Sequence, residues 1–252
     1  MLLAIDVGNT QTVMGLFDGE DVTRSWRVKT DARDTSDELA LTFRGLLDGY
    51  GPLSGVALCS SVPAILHEMR AMLASNYGSV PAVIVEPGTR TGVAILTDNP
   101  KEVGADRIVN TLAVYERYGG PAIVVDFGTS TNLDVVSADG DFLGGALAPG
   151  IQISIDALAA RAAQLRKIEL VRPRSAIGRN TVEALQSGAL FGFAGQVDGL
   201  VQRIIAELGD VQAVVATGGL ASIVIEESTT ITDHDPDLTL HGLRLVFERN
   251  CD

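Results

Sequence analysis

One pattern of apolar and polar positions occurs twice along the chain, 120 positions apart. Leu2-Leu3-Ala4-Ile5-Asp6-Val7-Gly8-Asn9-Thr10-Gln11-Thr12 is an apolar run closed by Asp-x-Gly and small polar residues, and Ala122-Ile123-Val124-Val125-Asp126-Phe127-Gly128-Thr129-Ser130-Thr131 repeats it. Each run is followed by a second apolar stretch and an Asp-Gly pair, Asp18-Gly19 and Asp139-Gly140. Such a unit reads as strand, tight turn, strand, turn. Two of them imply two halves, each presenting a carboxylate and a Gly-containing turn to a common cleft.

Between and after the repeats the pattern predicts an alternating α/β order. Trp26-Arg27-Val28 reads as a third strand. Thr35-Ser36-Asp37-Glu38 before Leu39, Leu41, Phe43, Leu46 and Leu47 reads as a capped helix. Gly55–Val62 is a buried strand, Pro63 opens a helix through Leu66, Met69 and Leu73, and Pro81–Val85 is a further strand. In the second half, strands are expected at 122–126, 132–137 and 142–146. A helix near Ile151–Leu165 has Ile151, Ile155, Leu158, Ala162 and Leu165 on one face. A long helix is expected over Thr181–Leu208, with small residues Gly188, Gly192, Ala194 and Gly195. Ala213–Gly219 reads as a strand ending in a glycine turn, Leu238–Phe247 as the last helix, and Glu226–Asp237 as the least ordered stretch.

Composition narrows the class. The chain has 252 residues, 46% apolar and 20% charged, as in a soluble globular protein; its length allows one large domain or two small ones, and the repeat favours two, expected at 1–118 and 119–252. No apolar run approaches the ~20 residues that span a bilayer. Met1–Ile5 lacks a basic region and runs straight into Asp6, so it reads as a strand and not a signal peptide. Cys59 and Cys251 stand far apart, and with His67, His234 and His241 they complete no zinc pattern, so a reducing cytoplasm is expected. A net charge of −13 argues against general nucleic-acid binding and against an anionic membrane surface.

The candidate chemistry is phosphoryl transfer. Asp6 and Asp126 end apolar strands, where carboxylates can hold a hydrated Mg²⁺. Gly8 and Gly128 let the backbone approach phosphate, and Asn9, Thr10, Thr12, Thr129 and Thr131 add side-chain donors. A plain turn is the alternative for either copy alone. In Gly104-Ala105-Asp106-Arg107, Asp106 could take a proton from a substrate hydroxyl and Arg107 could grip a carboxylate; equally, Asp106 could cap a helix starting at Arg107. Gly178-Arg179-Asn180-Thr181 opens a helix whose N-terminus could attract an anion, or simply be capped by Asn180 or Thr181. Thr217-Gly218-Gly219 could admit a nucleoside, or be an ordinary strand–helix turn. Trp26 reads as core or interface, the three histidines as surface or helix-end residues, and Arg161, Arg166, Arg172 and Arg174 as a solvated basic run that could attract an anion.

The paired Asp-x-Gly turns and the later Thr-Gly-Gly turn resemble the actin-like ATPase superfold. Asp6-Val7-Gly8-Asn9-Thr10, Gly104-Ala105-Asp106-Arg107, Asp126-Phe127-Gly128-Thr129, Gly144-Gly145 with Pro149-Gly150, Gly178-Arg179-Asn180-Thr181, Thr217-Gly218-Gly219 and the closing Asp237–Arg244 stand in the order found in type III pantothenate kinases. The resemblance covers essentially the whole chain. It implies two duplicated actin-like (RNase H-like) domains, each a mixed sheet flanked by helices, with ATP and Mg²⁺ in the cleft between them. It also implies ATP-dependent phosphorylation of the terminal hydroxyl of pantothenate, the first step toward coenzyme A. By the same resemblance, ATP is bound by Asp6, Val7, Gly8, Asn9, Thr10, Gln11, Thr12, Val13 and Thr129, and Asp6 is a candidate Mg²⁺ ligand. Asp126 would bind a monovalent cation, K⁺ or NH₄⁺. Asp106 would be the proton acceptor, and Gly104, Ala105, Asp106 and Arg107 would contact pantothenate together with Thr181 from the neighbouring subunit of a homodimer. In Ser130-Thr131-Asn132-Leu133-Asp134 the chain departs from the family's usual run, which places an aromatic before the last Asp.

Two other functions share the fold. One is a kinase for another small acceptor, which a substrate panel would separate. The other is a non-catalytic accessory or regulatory protein, against which Asp6, Asp106 and Asp126 argue.

Overall fold

The computed structural model describes residues 1–161 and 168–251. They form two compact units. The first comprises 1–93, 99–113 and 238–252, and the second 94–98 and 114–237.

The first unit is built on strands β1 (Leu2–Val7), β2 (Gln11–Asp18), β3 (Asp21–Lys29), β4 (Gly55–Ser60) and β5 (Ala82–Ile84), in the order β3-β2-β1-β4-β5. The β1–β2 and β2–β3 pairs are antiparallel hairpins, whereas β1–β4 and β4–β5 are parallel and joined by crossovers. Helix α1 (Ser36–Leu47) begins with a full capping box, in which the Thr35 side chain accepts from the Glu38 N–H and Glu38 accepts in return from the Thr35 N–H. Helix α2 (Pro63–Asn76) has proline in its first turn, where no backbone donor is lost.

Strand parity decides which side chains reach which layer. Leu3, Ile5 and Val7 of β1 face α1 and α2 in one apolar cluster with Phe43, Ile65 and Met69. Leu2 and Ala4 face the other way, with Ala57 and Cys59 of β4, into a second cluster. That layer is closed by Val109 and Leu112 of helix α3 (Ala105–Tyr118) and by Leu240, Leu243 and Val246 of the closing helix (Leu238–Cys251). Thr239 donates to Asn110 Oδ1 at 2.7 Å and ties these two helices together. Asp6 has the parity of Leu2 and Ala4 and therefore lies on the α3 side.

In the second unit the sheet order is β10-β9-β6-β7-β8. The strands are β6 (Ala122–Phe127), β7 (Ser130–Val136), β8 (Phe142–Pro149), β9 (Ala213–Thr217) and β10 (Asp233–His234). Again a hairpin sits at the centre, with a parallel neighbour on its other side. Ile123, Val125 and Phe127 face a cluster that includes residues of helices α4 (Ile151–Arg161), α5 (Thr181–Leu208) and α6 (Ala221–Val224). Asp126 has the opposite parity, as Asp6 has in β1.

Several sequence expectations change. The closing helix runs to Cys251 and belongs to the first unit, because its apolar stripe packs on β1 and β4; the units therefore differ from a simple 1–118 and 119–252 division. Leu158 of α4 is 48% exposed and so does not share the buried face of Ile151 and Ile155. Ala162, Leu165 and Arg166, assigned above to that helix and to the basic run, lie outside the described residues. Glu226–Asp237 is ordered rather than loose. The Asp198 carboxylate accepts from the Ser228 hydroxyl and from the N–H and hydroxyl groups of Thr229 and Thr230. These bonds outweigh burial and hold the carboxyl at about 2. Among the described residues, no helix is long and apolar enough to cross a membrane.

Candidate active site

The first hairpin turn is fixed by a small set of bonds. The Gly8 N–H donates to the Gln11 carbonyl at 3.1 Å, and the Thr30 N–H donates to the Thr10 carbonyl at 3.1 Å. Asn9, Thr10 and Gln11 are exposed at the tip of this turn. Thr12 is buried, and its hydroxyl pairs with that of Thr30 at 2.9 Å. Val7 is buried, while Val13 is half-buried opposite Asp6 in the β1–β2 ladder. Pattern reading did not single out Ser61. Its N–H donates to the Val7 carbonyl at 3.0 Å, and its hydroxyl accepts from Asn9 Nδ2 at 3.4 Å. A polar pair just beyond a buried strand was the available signal.

Asp6 sits at the end of β1 beside Cys59, its register partner on β4, whose thiol donates to Asp6 Oδ1 at 3.3 Å. Burial first, and the Asp106 carboxylate second, push the Asp6 carboxyl up to about 7, against the opposing effect of the Cys59 hydrogen bond. The structure thus brings together two carboxylates that the sequence separates by 100 positions. A buried carboxylate beside a second one fits a cation or a proton donor.

Asp106 lies within the first turn of α3 and does not precede it, because the helix begins at Ala105. The capping alternative for Asp106 therefore does not hold; the Arg107 and Ile108 N–H groups are satisfied by the Gly104 carbonyl at 3.2 and 3.3 Å. Gly104, Ala105 and Arg107 flank Asp106 at the start of the helix, each half-buried.

The second unit repeats the turn in a shorter form. The Gly128 N–H donates to the Ser130 carbonyl at 2.9 Å, and Phe127 pairs with Thr131 where Val7 pairs with Thr12. The second loop is thus one residue shorter than the first. Gly150 packs directly against it, since a Cβ there would stand 2.3 Å from the Thr129 carbonyl oxygen. Gly218, at φ +91°, lies equally close to β6, and its Cβ would fall 2.4 Å from Asp126 Oδ1 and 2.7 Å from the Phe127 backbone. Gly150 is therefore brought to Thr129 and Gly218 to Asp126. Asn132 is the register partner of Asp126 and shares its face of the sheet. Its Oδ1 is buried and finds no hydrogen-bond partner among the described residues.

Thr181 is the first residue of α5 and is exposed. The cap is Asn180, whose Oδ1 accepts from the Glu183 N–H at 2.9 Å. Arg172 and Arg174 pair with Glu227 and Glu183, so neither is a bare attractor of anions. Trp26 is half-buried, with Tyr50 edge-on at 5.5 Å between ring centres. His67 and His234 are exposed.

The chain matches the family model for type III pantothenate kinase over residues 2–203. It is 67% identical over 250 residues to a type III pantothenate kinase of Frankia alni, covering 99% of this chain and 100% of that one. Two solved structures share the fold. One, from Campylobacter jejuni, is assigned to the Baf family of transcriptional activators (TM-score 0.60, 18% identity, 98% of each chain covered). The other is an inorganic polyphosphate/ATP-glucomannokinase from an Arthrobacter species (TM-score 0.54, 13% identity, 98% of each chain covered).

Proposed function

The chain belongs to the type III pantothenate kinase family, and from that membership we propose that it phosphorylates the terminal hydroxyl of pantothenate with ATP, giving 4′-phosphopantothenate for coenzyme A synthesis. The observation that supports the site assignment is the Asp6–Asp106 pair, two carboxylates brought together from the end of β1 and the first turn of α3. The pantothenate hydroxyl oxygen attacks the γ-phosphorus, the bond from that phosphorus to the β–γ bridging oxygen breaks, and ADP leaves. The hydroxyl proton passes to Asp106. Residues Asp6, Gly8, Asn9, Thr10, Gln11 and Val13, with Thr129, contact ATP, while the buried Val7 and Thr12 act from behind the turn by holding its shape. Gly104, Ala105 and Arg107 hold pantothenate. Positioning and charge neutralisation lower most of the barrier.

Asp6, a buried carboxylate beside Asp106, fits a Mg²⁺ ion, which would neutralise charge on the ATP phosphates. Asp126 fits a monovalent cation, K⁺ or NH₄⁺, and the partnerless Asn132 Oδ1 on the same face supports an oxygen-ligated ion there. We assign a homodimer in which Thr181 reaches the partner's pantothenate. The exposed Ile177 and Val182 on either side of Thr181 support a contact surface at that helix start. Light scattering showing a monomer under turnover conditions would remove it. A cytoplasmic location goes with the substrates.

Asp106→Asn tests the base directly. The variant keeps shape and fold while kcat falls by ~10²–10⁴. A folded Asp106→Asn protein with undiminished turnover would end the assignment.

A further inference from the structure

Resting on the reading of Asp6 as a nucleotide-site carboxylate, we propose that Cys59 is a positioning residue whose buried thiol orients Asp6 for binding Mg²⁺-nucleotide. Cys59 stands opposite Asp6 in the parallel β1–β4 ladder, so both side chains leave the same face of the sheet. Its Sγ–H donates to Asp6 Oδ1 at 3.3 Å. Cys59 is fully buried among Leu2, Ala4, Ala57 and Val109, which gives the thiol one fixed position. With one carboxylate oxygen held by this bond, Asp6 is restricted to a single rotamer at the base of the phosphate turn. That is the role an outer-shell donor plays for a metal-binding carboxylate.

The test compares Cys59→Ser, which keeps a donor, with Cys59→Ala, which deletes it. MgADP binding by calorimetry and Mg²⁺-dependent KM and kcat are the readouts. Cys59→Ala is expected to weaken MgADP binding about tenfold and to raise the Mg²⁺ requirement, the low end for an outer-shell partner. Cys59→Ser is expected to stay within about twofold of the parent, since a hydroxyl replaces the donor. In an Asp6→Asn background, Cys59→Ala should add nothing. Equal binding by the alanine and serine variants, or an undiminished alanine effect in the Asp6→Asn background, would overturn the proposal.

If the alanine variant does not fold, Cys59→Val fills the space without a donor and carries the same expectation. Independently of either, the S–H stretching band lost in Cys59→Ser should lie below that of exposed Cys251 in the parent protein. An unshifted band would also overturn it. A separate result, Asp6→Asn binding MgADP as well as the parent, would instead refute the role of Asp6 itself.

Discussion

Gly104 leaves no room for a side chain beneath the Asp106 carboxylate: a Cβ on Gly104 would stand 2.4 Å from Asp106 Oδ1. The clash is with the end of a movable side chain and not with backbone, so the fold can absorb it and the carboxylate cannot stay where it is. Gly104→Ala is therefore expected to lower kcat about 100-fold through a misplacement near 1 Å, with little change in melting temperature. Steady-state kinetics beside thermal unfolding checks this. Unchanged kcat would mean that the position of Asp106 is not what the reaction uses.

The Asp6 carboxyl carries a stability signature. Its native value is raised from 3.8 to about 7, so between those pH values the unfolded chain releases this proton while the folded chain retains it. The nucleotide-free protein should lose stability from this group as pH rises from about 4 to 7, by as much as ~4 kcal/mol. Urea midpoints for the parent and Asp6→Asn at pH 5 and pH 7.5 should differ more at the higher pH. Mg²⁺ should narrow the gap. Equal differences at both values would contradict the burial and charge coupling described for Asp6.

Asn132 is expected to act on cation affinity. Asn132→Ala removes a buried oxygen beside Asp126 and should raise the K⁺ concentration for half-stimulation about five- to tenfold, the worth of one neutral oxygen contact of ~1 kcal/mol. Thermal stabilisation by K⁺ against Na⁺ reads the same affinity without turnover. An unchanged K⁺ response would remove Asn132 from the cation site.

Asp198→Ala should untie the 228–230 segment from α5 and cost about 1–3 kcal/mol, discounted for partial exposure. The Asp198 carboxyl lies at about 2, so its contribution is present above pH ~4 and is lost as pH falls toward 2. Chemical denaturation of parent and variant at pH 7 and pH 3 checks both size and sign.

The duplicated hairpin was legible because apolar strand, Asp-x-Gly and return strand are local features, and parity alone puts Asp6 and Asp126 on corresponding faces. The Thr35–Glu38 cap and the Thr181–Leu208 helix were legible for the same reason. What could not be read locally was anything made by distant partners. The closing helix joins the first unit through contacts more than 100 positions away, such as Thr239 with Asn110. Glu226–Asp237 looked loose because its order comes from distant partners, the Asp198 carboxylate of α5 and strand β9. Asp106 can be read as a cap or a base by composition, and only its place inside α3 argues against the cap. Cys59 and Ser61 were passed over because a buried strand end carries no chemical pattern until its register partner is known.

The most direct test of the central claim is ADP release by the purified protein with MgATP, with and without pantothenate, in K⁺ and then in Na⁺. Turnover that requires pantothenate and is stimulated by K⁺ is the predicted result. A folded protein that releases no ADP in response to pantothenate in either buffer would contradict it.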